Sequence, residues 1–324
     1  MASEPRVSPV QRRARIATLR PESGRRFRRW LARTDVDLGR VAFVSLTVAG
    51  AAVLSVIVLT AWTGLDFDAY RSIDLNNIYV PTGDMSAHYA FRYGPPIAIL
   101  MAPLGAIPFA APLWFAGQLA SLWYVGRRWA LALVLFPPVG LDLVYGNVNL
   151  FIAAAIVVGF RHPAAWAFPV LTKVTPAVGL AWFAVRREWK ELATALGVIA
   201  GALVFAEVIL PGATRGWLDA LRSNAGIAQS GALAIPLWIR LIVAVVVVAW
   251  GALSNRRWTV PVAVTLAMPV WWPISFVPLI AILPILREEE GRSADGLRTF
   301  RQPAVVQTAD RPASLPERSQ LAVD

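Results

Sequence analysis

AFPVLTKVTPAVGLAWF, residues 167–183, is the stretch on which the fold turns. It is apolar except for Lys173 at its centre, and Pro169 and Pro176 interrupt it. Lys173 is one of two lysines in the chain; the other, Lys190, sits among arginines at a segment edge. Residues 163–186, about 24 in all, lie between the basic borders Arg161 and Arg186/Arg187. A single crossing over that length would place Arg186 and Arg187 outside, against the preference of Lys and Arg for the cytoplasmic side. Two short tilted helices with a turn near Lys173 keep both borders inside. Broken helices at membrane depth are tolerated only where protein or a water-filled cavity satisfies the freed backbone groups. The expectation is therefore a hairpin whose turn sets Lys173 near the outer side, lining a cavity.

Composition supports a membrane setting for that hairpin. Of 324 residues, 57% are hydrophobic and 16% charged, and the mean hydropathy is +0.55. A soluble domain is nearer half apolar and about a quarter charged. Apolar stretches cover most of residues 41–286, and each crossing of a ~30 Å hydrocarbon core takes roughly 20 helical residues. The first span is VAFVSLTVAGAAVLSVIVLTAWTG, residues 41–64. A polar outer loop, 65–95, follows with Asp66, Asp68, Asp74, Asp84 and His88. PPIAILMAPLGAIPF (95–109) is short and bounded by prolines, which suits an interfacial or re-entrant helix. APLWFAGQLASLWYVGRR (111–128) returns the chain to the cytoplasm. Further candidate crossings are 129–145, 148–160, 163–173, 175–186, 190–210, 236–254, 258–271 and 273–286. Arginines recur at 127/128, 161, 186/187, 256/257 and 287, at every second connection. This rhythm predicts an all-α, polytopic integral membrane protein of about ten membrane helices, with short broken or re-entrant segments and both termini cytoplasmic.

The ends read differently. Residues 1–40 hold eleven arginines against four acids and little periodicity, which predicts a disordered basic cytoplasmic tail that can touch anionic lipid. The tail is too long and arginine-rich for a cleavable signal peptide. It lacks an aromatic platform or folded reader for nucleic acid, so the net charge of +11 does not point to a nucleic-acid partner. Residues 288–324 predict a second disordered cytoplasmic tail, leaving 41–287 as the transmembrane domain. With no cysteine there is no disulfide and no thiolate metal site, and His88 and His162 are too far apart in sequence for a His-rich one.

An ionisable group at membrane depth costs roughly 2.5–3.5 kcal/mol and usually has a partner. For Lys173 two partners are open: Asp142 in VGLDLVYGNVN (139–149), or an anionic ligand such as a lipid phosphate. Arg240, in PLWIRLIVAVVVV (236–248), is a second cation of the same kind, or one that snorkels to the interface. Asp66 and Asp68 follow the first span directly. A partly desolvated carboxylate there can act as a general base toward a hydroxyl, or both acids can simply solvate the loop. Spaced i, i+2 on a helix, they cannot both face one cavity. Tyr70, Tyr89 and Tyr93 suit either the lining of a site or an interface belt. A transporter or non-catalytic lipid-binding protein is the alternative class, although no inverted repeat is visible between the halves.

The ordered elements DFDAY (66–70), NNIYVP (76–81), YGPP (93–96), GNVN (146–149), LTKVTP (171–176) with RREWK (186–190), and WWPISF (271–276) resemble glycosyltransferase family 87. The resemblance implies a GT-C-type membrane enzyme that takes mannose from polyprenyl-phosphate mannose and passes it to a glycolipid or glycan acceptor. It implies inverting direct displacement without metal or other cofactor. It also implies Asp66 as base (Asp68 as the alternative), Lys173 on the lipid phosphate with help from Arg240, and Tyr70, Tyr93, Asp142 and Asn149 around the substrates. Two positions depart from the family pattern. Asn147 stands where glutamine is usual, and Pro273-Ile274-Ser275-Phe276 stands for a Pro-x-Ser-Trp element usually followed by histidine.

Overall fold

The computed structural model describes residues 64–79, 91–224 and 235–289. The expected first span up to residue 63, the whole N-terminal tail, the C-terminal tail beyond residue 289, and Asp84, His88 and Tyr89 lie outside the described residues. The described residues are helical, with no strand among them.

Proline and glycine set the boundaries. Gly64, in the left-handed region at φ 56°, turns the chain into α1 (Leu65–Arg71). Pro95 and Pro96 open α2 (Pro95–Met101), where a missing N–H costs nothing and φ is already helical. A 3-10 turn at Ala102–Gly105 leads to α3 (Ala110–Gly126) and α4 (Ala130–Val134). Pro137 then starts α5 (Pro137–Tyr145) after a 98° bend from the preceding helical unit, because the residue before a proline is pushed out of the helical region. Gly146, at φ 68°, caps α5 and hands the chain to α6 (Asn149–Gly159).

The opening stretch is broken where its lysine stands. A 3-10 turn (Pro163–Trp166) and α7 (Ala167–Lys173) end at Val174, whose φ is 38°. A 3-10 segment (Thr175–Leu180) and α8 (Ala181–Val185) follow. The fully buried Trp166 ring lies against both Gly159 and Gly179, where a methyl group on either glycine would overlap it. Residues on the two sides of the Lys173–Val174 break therefore lie side by side, as a hairpin requires.

The remaining elements are α9 (Trp189–Ile209), α10 (Ala213–Asn224), α11 (Leu237–Leu253), α12 (Thr259–Ala267) and a 3-10 segment (Pro273–Ala281) that continues as helix through 282–289. The core gathers around α6, whose Leu150, Ile152, Ala153 and Ile156 are fully buried; α3, α5, the Pro163–Trp166 turn, α7 and the 273–281 segment enclose that helix. The basic borders meet at one end. Arg161 pairs with Glu288 at 2.7 Å, Arg186 donates to Asn255 at 3.1 Å, and the Arg257 backbone N–H donates to Glu289 at 2.9 Å.

Of the described helices, only α9, with 21 residues, is long and apolar enough to cross a membrane; at 1.5 Å per residue it spans about 31 Å. The bent pair Ala110–Val134 and Pro137–Tyr145 makes a second crossing if it counts as one span. Where the charge rhythm predicts ten crossings, the described residues thus supply one or two by length. Prolines and 3-10 turns cut the other apolar stretches into pieces such as the 17-residue α11. Helices α9 and α11 nonetheless show large apolar side chains outward: Val208 is 76% and Leu253 80% exposed. Faces of this kind suit lipid better than water.

Candidate active site

The site is built around the turn between α5 and α6. Gly146 needs its left-handed backbone there, and a Cβ at that position would meet the Cβ of Phe67 on α1 at 2.8 Å. That close approach brings α1 onto the turn. Gly64 N–H also donates to the Val144 carbonyl at 3.1 Å, and Trp114 Nε1–H to the Gly146 carbonyl at 2.8 Å. Gln118, fully buried in the apolar α3, donates from Nε2 to the carbonyls of Asp142 (3.1 Å) and Asn147 (2.8 Å).

The turn presents two asparagines on either side of Val148, and each takes one charged partner. Asn147 Nδ2–H donates to Asp66 Oδ2 at 2.8 Å. Asn149 Oδ1 accepts from Lys173 Nζ at 2.7 Å. The Asn149 amide N–H donates to Asp142 Oδ1 at 2.9 Å and to the Ile274 carbonyl at 3.1 Å. Asp142 is buried, and its Oδ2 accepts the Leu150 backbone N–H at 3.1 Å in the first turn of α6, where free N–H groups and the helix dipole favour a negative charge. Lys173 and Asp142 thus meet through Asn149 rather than in a direct ion pair. Asp66 and Asp142 both lie within electrostatic reach of the Lys173 ammonium. Three segments far apart in sequence, near 66, 142–149 and 173, form one polar cluster.

Aromatic side chains wall the cluster on the α1 side. The Tyr70 and Tyr93 hydroxyls are 2.9 Å apart, and Tyr79 O–H donates to the Tyr93 carbonyl at 2.6 Å. Tyr70 also packs at a tilt against Trp114, with ring centroids 5.3 Å apart. Burial first, and the Asp66 charge second, hold the Tyr93 phenol above its ordinary pKa, so it stays protonated and can donate.

Asp68 points elsewhere. Two residues on from Asp66, it pairs with Arg71 at 2.7 Å. Together with Ser72 and Gly105 these residues line an open depression of about 580 Å³ that includes neither Asp66 nor Lys173. Arg240 is also turned to another task. Only 3% exposed, it donates to the carbonyls of Ile235 (3.1 Å), Leu266 (3.3 Å), Met268 (2.6 Å) and Pro269 (3.1 Å) and lies 4.9 Å from the Trp271 ring centroid. No hydrogen bond joins it to the Asp66–Lys173 cluster among the described residues.

Gln118 went unnoticed in the sequence, and Asn147 was noted only as a departure from a pattern. The signal for Gln118 was a lone amide inside LWFAGQLASLW (113–123), an otherwise apolar helix.

Residues 91–277, more than half of the chain, match the model of Glycosyltransferase family 87. The matched region carries Tyr93, Gln118, Asp142, Asn147, Asn149 and Lys173, and Asp66 lies outside it, on the N-terminal side. No curated protein and no solved structure matches the chain. A chain whose described elements are all helical, with outward apolar faces, a buried polar cluster and this match, is a membrane-associated glycosyltransferase, and it belongs to glycosyltransferase family 87.

Proposed function

We propose that the protein transfers a hexose, mannose by family resemblance, from a polyprenyl-phosphate donor to a glycolipid or glycan acceptor at the outer face of the cell membrane. In this reading, residues 41–287 form a multi-pass GT-C-type domain and both tails are cytoplasmic. Asp66 accepts the proton of the acceptor hydroxyl as that oxygen attacks the anomeric carbon. The bond from that carbon to the lipid phosphate breaks on the opposite face, and the phosphate leaves with the electron pair. Lys173, freed from Asn149 by a competing anion, offsets the charge that develops on the phosphate. One displacement inverts the configuration and needs no covalent enzyme intermediate. Tyr70, Tyr93 and Asn149 flank the sugar, and Asp142 orients Asn149. Arg240 braces the fold instead of touching the donor.

The observation that carries this reading is the meeting of Asp66 and Lys173 on neighbouring asparagines of one turn. A base and a phosphate-binding cation at the two ends of a small polar cluster are the two charges that an inverting transfer from a lipid phosphate needs. The test is transfer of label from polyprenyl-phosphate mannose to endogenous acceptors in membranes carrying the full chain. Asp66→Asn is expected to lower the rate at least ~100-fold at normal expression, the usual worth of a general base. A wild-type rate would reject Asp66 and move the base to Asp68.

A further inference from the structure

We infer that Asn147 is a positioning residue for Asp66, and that it sets the direction in which the carboxylate faces the acceptor. This rests on the reading of Asp66 as the base.

The geometry that points there is an unbalanced amide. Asn147 is only 5% exposed and its Nδ2 donates to Asp66 Oδ2 at 2.8 Å. Facing a carboxylate oxygen, an amide must present its N–H end, which turns Oδ1 away. In this protein that oxygen is buried and meets no donor among the described residues. An amide kept for stability alone has both ends paired, since an unpaired buried oxygen is a cost. Asn147 leaves one end unpaired and commits the other to a charge on a different segment.

Gln118 repeats the pattern one step back. Its Oε1 is also buried and unpaired, while its Nε2 holds the carbonyls of Asp142 and Asn147. The glutamine thus fixes the backbone of the turn, and the turn fixes the asparagine. The asparagine then ties Asp66 Oδ2. Asp66 Oδ1 has no hydrogen bond among the described residues, so the tie decides which oxygen remains to receive a proton. The spacing of the two asparagines does the rest: Asn149 holds the Lys173 side of the same turn, so the base and the cation are set from one piece of chain.

The experiment uses full-length protein in membranes with endogenous acceptors and labelled polyprenyl-phosphate mannose. Asn147→Leu is expected to lower the maximal rate roughly 10- to 100-fold, the range for one hydrogen bond to a charged group. The donor KM should stay within about twofold, because the donor is held at the other side of the turn. Asn147→Gln restores most of the rate, since its amide reaches the same carboxylate from a side chain one methylene longer. An unchanged rate in Asn147→Leu, or a loss carried wholly by donor KM, would overturn the inference. Should Asn147→Leu fail to accumulate, Asn147→Asp decides. It fills the same space without an N–H donor, and a rate equal to that of Asn147→Gln would sink the proposal. Asp66→Asn in the same assay separates the two levels: if it stays active, the base assignment fails; if it is dead while Asn147→Leu is normal, only the positioning role fails.

Discussion

A guanidinium that donates to four carbonyls and lies over Trp271 acts as a clamp on the end of α12. The carbonyls at a helix C-terminus have no intrahelical partner, and Arg240 fills that need from α11. Arg240→Leu leaves several buried acceptors unpaired, which costs on the order of 3 kcal/mol or more. Its thermal unfolding in detergent is expected well below wild type, while the donor KM of the folded fraction is unchanged. A normal melting point with a raised KM would return Arg240 to the phosphate. Arg240→Lys rescues little, because one ammonium cannot reproduce a planar fork. The comparison with Lys173 shows what a sequence can reveal at this scale. A cation inside an apolar stretch announces a partner because its insertion is costly, and both Lys173 and Arg240 gave that signal. It does not say whether the partner is an anion, an amide or a set of carbonyls, and only folding settled that Lys173 meets Asn149 while Arg240 meets main chain. Asp66 stood out on other grounds, its place straight after the first span, and the sequence left Asp68 open beside it. Gln118 and Asn147 were not, since a neutral amide in an apolar helix or a turn gives a far weaker signal than a charge.

The elements follow the prolines, and so their edges were largely legible. The expected crossings 190–210 and 236–254 correspond to Trp189–Ile209 and Leu237–Leu253, and the break expected near Lys173 falls at Val174. What the pattern concealed was the angle and pitch of the pieces: the 98° bend before Pro137, and the 3-10 character of residues 175–180 and 273–281. Hydropathy reports burial along the chain and is blind to the way a helix is wound. Short pieces of this kind need tight packing to stay together, and Trp166 between Gly159 and Gly179 provides it at the base of the Lys173 hairpin. Gly179→Ala forces a methyl into the indole ring, and overpacking of this type costs about 1–3 kcal/mol. A lowered melting temperature is expected, together with a reduced transfer rate because the hairpin carries Lys173. Trp166→Phe in the same chain makes room for the methyl, so the double variant should melt above Gly179→Ala alone. If the two losses simply add, the ring and the glycine are not in contact and the hairpin packing described above is wrong.

Across the whole molecule, charge divides the protein into two ends. Arg161, Arg186, Arg257 and their partners Glu288, Asn255 and Glu289 gather the connections near 161, 187, 256 and 288 together. Arg186 and Arg257 also rest on the rings of Trp182 and Phe160, at 5.3 Å each. These are alternate connections along the chain, so their meeting at one end is what a chain passing back and forth requires. The proposed multi-pass topology assigns that end to the cytoplasm and the loops near 76 and 223 to the outside. The sequence has no cysteine, so each introduced thiol reports alone. Single cysteines at the exposed positions Asn76, Ser223, Arg187 and Asn255 can be probed with a membrane-impermeant maleimide in intact cells. Asn76→Cys and Ser223→Cys are expected to label at once, and Arg187→Cys and Asn255→Cys only after permeabilisation. Arg187→Cys also removes a positive charge from its border, so Asn255→Cys is the cleaner inside reporter. If Asn76→Cys and Asn255→Cys label from the same side, the charge rhythm does not record crossings. If both label only after permeabilisation, Asp66 lacks an outward-facing acceptor, and the transfer has to be sought at the cytoplasmic surface.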